Sequence, residues 1–184
     1  EKAKDYAAED ADITLRLYKK FLKNLKSEKL MNIYEIFEKP LIKILAYMEI
    51  EGTEIDSKFL KSLSHKFEKK ILKLEKEIYK VSKKEFNIGS PKQLGEIIYN
   101  DLKIAGLKKT KKGGFATSAT VLEDLAFKGN KFPALILDWR QLSKLKNTYS
   151  DALPEHVNPK TKRVHTSFLL AATTTGRLAS SDPN

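Results

Sequence analysis

The sequence predicts a mainly α-helical chain: a long antiparallel two-helix stalk carrying a small helical tip, with a short C-terminal β segment. Three observations carry this reading. Phe59, Leu63, Phe67, Ile71, Leu74, Ile78 and Val81 recur at steps of three and four, an apolar stripe along a helix of about 28 residues and roughly 42 Å. Leu135, Ile136, Trp139, Leu142, Leu145 and Tyr149 supply a second face of matching extent. Residues 164–170 are β-prone and partly alternating, the start of a sheet.

The first 30 residues read as a helix, with Ala11, Thr14, Leu15, Leu17, Tyr18, Phe21, Leu22 and Leu25 at helical spacing. Ser27-Glu28-Lys29 loosens that pattern. Pro40 suits the first turn of a second helix bearing Leu41, Ile44, Leu45 and Met48, which Gly52 ends. Thr53-Glu54-Ile55-Asp56 is then a short extended link, and Asp56 or Ser57 is the N-cap of the long stalk helix. The partner helix is expected to begin after Pro133 and to stop at Pro154. Between the two stalk helices, residues 86–130 hold two short amphipathic segments. One carries Leu94, Ile97, Ile98 and Leu102, the other Val121, Leu122, Leu125 and Ala126, and the basic turn 108–114 joins them. A lone strand over 164–170 is not stable, so that segment is expected to need more sheet than the chain supplies.

Composition narrows the function classes. With 184 residues and 41% hydrophobic side chains the chain can bury one ordinary core. It has no Cys, which excludes a disulfide framework and a thiolate metal site. No apolar run is long enough to span a membrane and the first residues have no signal-peptide pattern, so the cytoplasm is expected. The chain opens without Met and stops at Asp182-Pro183-Asn184, and both ends read as cuts. The net charge is +11, a balance that favours a polyanionic partner. Of 35 basic residues only Arg16, Arg140, Arg163 and Arg177 are Arg, and a genome of biased base composition also inflates Lys.

Three stretches go further. They are Phe86-Asn87-Ile88-Gly89-Ser90-Pro91-Lys92-Gln93-Leu94, then Arg140-Gln141-Leu142-Ser143-Lys144-Leu145-Lys146-Asn147-Thr148-Tyr149. The third is Arg163-Val164-His165-Thr166-Ser167-Phe168 with the run from Thr173 through Gly176-Arg177 to Asn184. In this order and at these distances they resemble the bacterial A-family DNA polymerases: the start of the thumb tip, the helix end where thumb meets palm, and the first conserved motif of the palm. Tyr6 and Asp10, four apart on one helical face, resemble the third motif of that family's 3′–5′ proofreading exonuclease. The resemblance implies a division into a C-terminal helix of an exonuclease-like domain (1–30), a thumb (31–153, tip about 86–130) and a truncated start of the palm (154–184).

The resemblance also implies roles. Arg177, beside a Gly that lets backbone approach closely, would hydrogen-bond minor-groove acceptors near a primer end. Asn87, Ser90, Lys92, Gln93, Thr117, Ser118, Lys144, Lys146, Asn147 and Thr148 would contact the DNA backbone, and Asn184 would lie near the template–primer junction. The partner implied is primer–template duplex, bound by a monomer with no small-molecule cofactor and no membrane, in the bacterial nucleoid. Mg²⁺ would serve the parent enzyme, with Asp10 a metal ligand only there. The carboxylates that bind metal for nucleotidyl transfer lie downstream in the family, so this piece is expected to be inert by itself. Leu170, Thr174, Ala179 and Lys162 stand where the family usually has Gln, Ala, Ser and Gly. Two other readings remain open: a Lys-rich helical module binding protein or RNA, and a nuclease centred on Tyr6 and Asp10. The tip is expected to be mobile without DNA, with residues 103–115 less protected from hydrogen exchange than 59–81.

Overall fold

The computed structural model describes residues 2–104, 109, 113–170 and 172–184. Of the basic turn 108–114, only Lys109, Gly113 and Gly114 fall among these, and the stretch 103–115 is therefore only partly described. The fold is mainly helical with one small sheet, as the sequence predicts, and it divides into two compact units, 54–161 and a second formed by 1–53 with 162–184.

In the first unit, α4 (Ser57–Ser82) is the long stalk helix. Asp56, not Ser57, is its N-cap: the carboxylate accepts from the Phe59 amide at 2.8 Å. The partner, α7 (Lys131–Lys144), runs on through a π-helical stretch, Leu145–Asp151, into the short α8 (Ala152–Glu155). One expectation about proline is corrected here. Pro133 lies inside the first turn of α7, where its missing N–H has no intrahelical acceptor to lose. Pro154 stands in the last turn, and the helix ends one residue later at Glu155, as the sequence predicts.

The core sits where the stalk meets the tip. Ile78 of α4 and Leu135 and Ile136 of α7 pack with Ile88, Leu94, Ile97, Ile98, Leu122 and Leu125. Leu94 belongs to α5 (Pro91–Glu96), which continues as a π-helical turn, Ile97–Asp101; Leu122 and Leu125 belong to α6 (Ala119–Phe127). Along the stalk, Trp139 Nε1 donates to Glu75 at 3.0 Å, and Tyr79 Oη donates to the Phe86 carbonyl at 3.2 Å.

In the second unit, α1 (Lys2–Ser27) ends as the pattern predicts. Residues 31–51 form one continuous helix: α2 (Met31–Ile33), a π-helical turn Tyr34–Glu38, and α3 (Lys39–Glu51). Pro40 therefore does not open a free helix. The π turn, with the Lys39 amide bonded to the Tyr34 carbonyl, is where the ladder accommodates a residue without a donor. Gly52 ends α3 at φ 68°, ψ −175°, and Thr53 then exchanges two 2.8 Å backbone hydrogen bonds with Val164. Two further contacts fasten this corner: the Arg163 guanidinium donates to the Gly52 carbonyl, and Glu49 Oε1 accepts from the Phe168 amide at 2.6 Å.

The β segment also differs from expectation. β1 (Ser167–Leu169) pairs antiparallel with β2 (Ala179–Ser181), Phe168 opposite Ser180. The partner strand comes from the polar run itself, whose Ala and Ser have weak β propensity and give no periodic signal.

Candidate functional site

Two corners of the tip are held against neighbouring residues of α7. At the first corner, Asn87 Oδ1 accepts from the Gly89 amide at 2.9 Å, while Gln93 Oε1 accepts from the Asn87 amide at 2.7 Å. Ser90 is the N-cap of α5 and its hydroxyl accepts from the Gln93 amide. Asn87, Ser90 and Gln93 thus fix one another, each keeping hydrogen-bonding capacity: the two amide side chains still carry N–H donors. A side chain on Gly89 would stand 3.8 Å from the Trp139 ring, so this corner rests on α7. Lys92 is exposed at the same helix start.

At the second corner, Arg140 of α7 donates to the Thr117 carbonyl at 2.6 Å. Thr117 itself is buried, at 7% exposure, so its side chain faces packing rather than solvent. Ser118 is exposed at the N-cap of α6 and makes no capping hydrogen bond. Burial holds the Arg140 guanidinium below its ordinary pKa, yet a guanidinium stays charged, so a cation is stored beneath this corner.

One turn beyond Arg140 stands Lys144, exposed, and then Asn147 and Thr148, exposed on the π-helical stretch. Lys146 is different. Its ammonium lies 2.7 Å from Asp151, which also accepts from Ser64 of α4. The Asp151 hydrogen bond raises the Lys146 pKa, and the bonds from Lys146 and Ser64 lower that of Asp151. With its folded pKa depressed, Asp151 contributes stability above its ordinary value of 3.8 that is lost as pH falls through the folded value. Lys146, raised, contributes stability that is present below its ordinary 10.5 and lost as pH rises beyond it. The pair is partly exposed and screened, so each contribution is under about 1 kcal/mol. Urea unfolding at neutral pH and near pH 3 should show Asp151→Asn losing less on acidification than the parent; equal losses would remove this cluster from the account.

In the other unit, Arg177 is exposed, follows Gly176 at φ 72°, and its guanidinium has no partner among the described residues. The turn is closed by Thr173 Oγ1, which donates to the Arg177 carbonyl at 2.7 Å. Asn184 is exposed and its side chain lies 3.5 Å from Ser180 Oγ. Lys162, where the resemblance expects Gly, takes φ 61°.

Tyr6, 68% exposed, and Asp10 lie on α1. Among the described residues no three His, Asp or Glu gather as a metal site. One carboxylate on a solvated helix does not fit the two divalent ions of phosphodiester hydrolysis, and no step is derived through them.

Arg140 is the residue that sequence reading passed over as a site residue. The available signal was its type: where nearly every cation is Lys, an Arg marks a place that needs a planar fork. Arg163, gripping the Gly52 carbonyl, repeats the pattern.

The family model for DNA polymerase family A matches residues 57–184. The chain belongs to DNA polymerase family A. It is 52% identical over its whole length to DNA polymerase I of Rhizobium leguminosarum, of which it covers 18%. It is 43% identical, over 97% of the chain, to the thermostable DNA polymerase I of Thermus thermophilus, covering 22% of that protein. The chain thus spans about a fifth of the length of these curated relatives. Among solved structures it resembles the POL domain of Pol1 from M. smegmatis in complex with DNA primer-template and dNTP. There the TM-score is 0.75 at 34% identity, over 87% of this chain and 28% of that one. No helix among the described residues is long and apolar enough to cross a membrane.

Proposed function

We propose that this chain is the DNA-gripping segment of a bacterial DNA-directed DNA polymerase, comprising its thumb (31–153), the preceding exonuclease-like helix (1–30) and the start of the palm (154–184). The observation that carries the proposal is the seating of both tip corners on Trp139 and Arg140, one turn before Lys144, Asn147 and Thr148. Donors of this kind suit phosphate oxygens, which every sequence presents alike. Family membership and the similar structure solved with primer–template support it.

Each residue then has a task. Asn87, Gln93, Lys92 and Ser118 supply donors to one phosphate strand, with Ser90 holding the α5 start in shape. Thr117 acts through its carbonyl, which Arg140 fixes. Lys144, Asn147 and Thr148 contact the same backbone further along. Lys146 shares its ammonium, one N–H to Asp151 and the others free for phosphate. Arg177 reads the purine N3 and pyrimidine O2 acceptors common to all base pairs, and Asn184 borders the junction. The nucleotidyl-transfer step, with its Mg²⁺, belongs to carboxylates of the whole enzyme, at work in the bacterial nucleoid.

The test is Arg177→Ala with Lys144→Ala, followed by fluorescence anisotropy on primer–template duplex. Affinity should fall at least about tenfold, or about 1.4 kcal/mol. An unchanged Kd would remove these two residues from the grip.

A further inference from the structure

The segment entering β1 is fastened to the end of α3 at four points. The Arg163 guanidinium donates to the Gly52 carbonyl, Val164 and Thr53 exchange backbone hydrogen bonds, and His165 Nδ1 lies 2.8 Å from the Glu49 carbonyl. The fourth point is of another kind. Glu49 Oε1 accepts from the Phe168 amide at 2.6 Å, so a helix side chain takes hold of the backbone of β1 itself.

In an antiparallel pair a residue turns its N–H and its carbonyl to the same side of the strand. Because the Phe168 amide turns to Glu49, its pair with Ser180 is a non-hydrogen-bonded one, and β2 is held through Ser167 with Ser181 and Leu169 with Ala179. The half-buried Glu49 carboxylate thus stands where a third strand would offer a carbonyl, beside a two-stranded sheet that is marginal by itself. Helix formation gives no cause for an acid at this place. Glu49 lies in the last turn of α3, which holds no basic residue, and a carboxylate there opposes the helix dipole. The Phe168 amide is what it serves.

The hairpin carries the exposed Arg177 two residues before β2, and Thr173 Oγ1 closes its turn on the Arg177 carbonyl. Thr166 Oγ1 lies 3.0 Å from the Ser181 carbonyl and 2.7 Å from that of Pro183, so the run towards Asn184 is tied to the same segment. A slip of β2 by one residue would turn its side chains to the other face and carry Arg177 along by about 3.3 Å. We infer that Glu49 is a positioning residue for the primer-end contact, an inference that rests on the proposed function for what Arg177 touches. Its carboxylate sets the place of β1 and, through the pairing with β2, that of Arg177. The demand is for an acceptor at that reach, which Gln supplies and Asp, one methylene shorter, does not.

Anisotropy on two primer–template duplexes tests this, one natural and one with 3-deazapurines, which lack the N3 acceptor, in the last base pairs at the primer end. The unmodified chain should bind the second about tenfold more weakly, as expected for a lost hydrogen bond to a charged donor. Glu49→Ala and Glu49→Asp should bind both duplexes alike, at the level of Arg177→Ala, and adding Arg177→Ala to either should change nothing further. Glu49→Gln should restore the difference. Glu38→Ala, the same charge loss elsewhere on this continuous helix, should keep it. A merely structural loss would weaken both duplexes without removing their ratio. Far-UV circular dichroism checks folding, and Glu49→Asp carries the test if Glu49→Ala unfolds. The full difference persisting in Glu49→Asp would overturn the inference. If the unmodified chain does not distinguish the duplexes, the reading of Arg177 falls and hydrogen exchange decides on Glu49. Faster exchange at Phe168 and over 177–181 in Glu49→Asp would keep it as the residue that places the hairpin; unchanged exchange would overturn that too.

Discussion

Replacing Gly52 by Ala should destabilise the unit built from 1–53 and 162–184 by about 3 kcal/mol or more. Two costs add. The backbone at φ 68°, ψ −175° lies in a region essentially reserved for glycine, where another residue costs about 1–3 kcal/mol. A Cβ there would also meet His165 Cε1 at 2.7 Å and the Val164 carbonyl at 2.8 Å. Neither neighbour can retreat cheaply. His165 Nδ1 is 2.8 Å from the Glu49 carbonyl, and the Val164 carbonyl accepts the Thr53 amide. Relief would break the bridge that joins the end of α3 to the β1–β2 hairpin. Thermal unfolding followed by near-UV signals of this unit should show the loss, and an unchanged midpoint would contradict the geometry.

Gly95→Val should cost the tip about 3 kcal/mol, although helix propensity alone argues the other way. Gly95 lies in α5 with an ordinary backbone, so any Cβ would by itself gain part of the roughly 1 kcal/mol that glycine forfeits in a helix. Sterics decide the sign. The new Cβ would stand 2.5 Å from Phe115 Cβ, an atom at the root of its side chain that moves only with its backbone. Phe115 packs on Tyr99 at a ring separation of 5.2 Å, and Tyr99 Oη donates to the Ala116 carbonyl. Displacing Phe115 therefore disturbs the run leading to Thr117 and Ser118. Urea unfolding should register the destabilisation, and duplex affinity should fall with it; a stabilised Gly95→Val would show that the segment yields freely.

Much of this architecture was legible because the stalk repeats one signal many times. An apolar residue every three or four positions over α4 leaves no competing register, and Asp56 offers its carboxylate where an N-cap needs it. Two prolines misled for a local reason. Pro40 and Pro133 read as boundaries, yet each lies in a first turn or next to a π-helical turn, where a missing donor costs little; Pro154 does mark an end, one residue before the helix stops at Glu155. β2 was illegible because Ala179, Ser180 and Ser181 carry no alternation; their pairing is set by the hairpin. The candidate site was read from motifs, which give residues but not their employment. That Thr117 is buried, that Lys146 already holds Asp151, and that Arg140 fixes the second corner all depend on distances that spacing does not encode.

The grip itself is tested most directly by anisotropy of the chain on primer–template duplex and on the matching single strand, across a salt series. Binding should be tighter to duplex, with a steep loss of affinity as salt rises. Equal, tight binding to duplex and to single strand would contradict a duplex grip and make the chain a general polyanion-binding module.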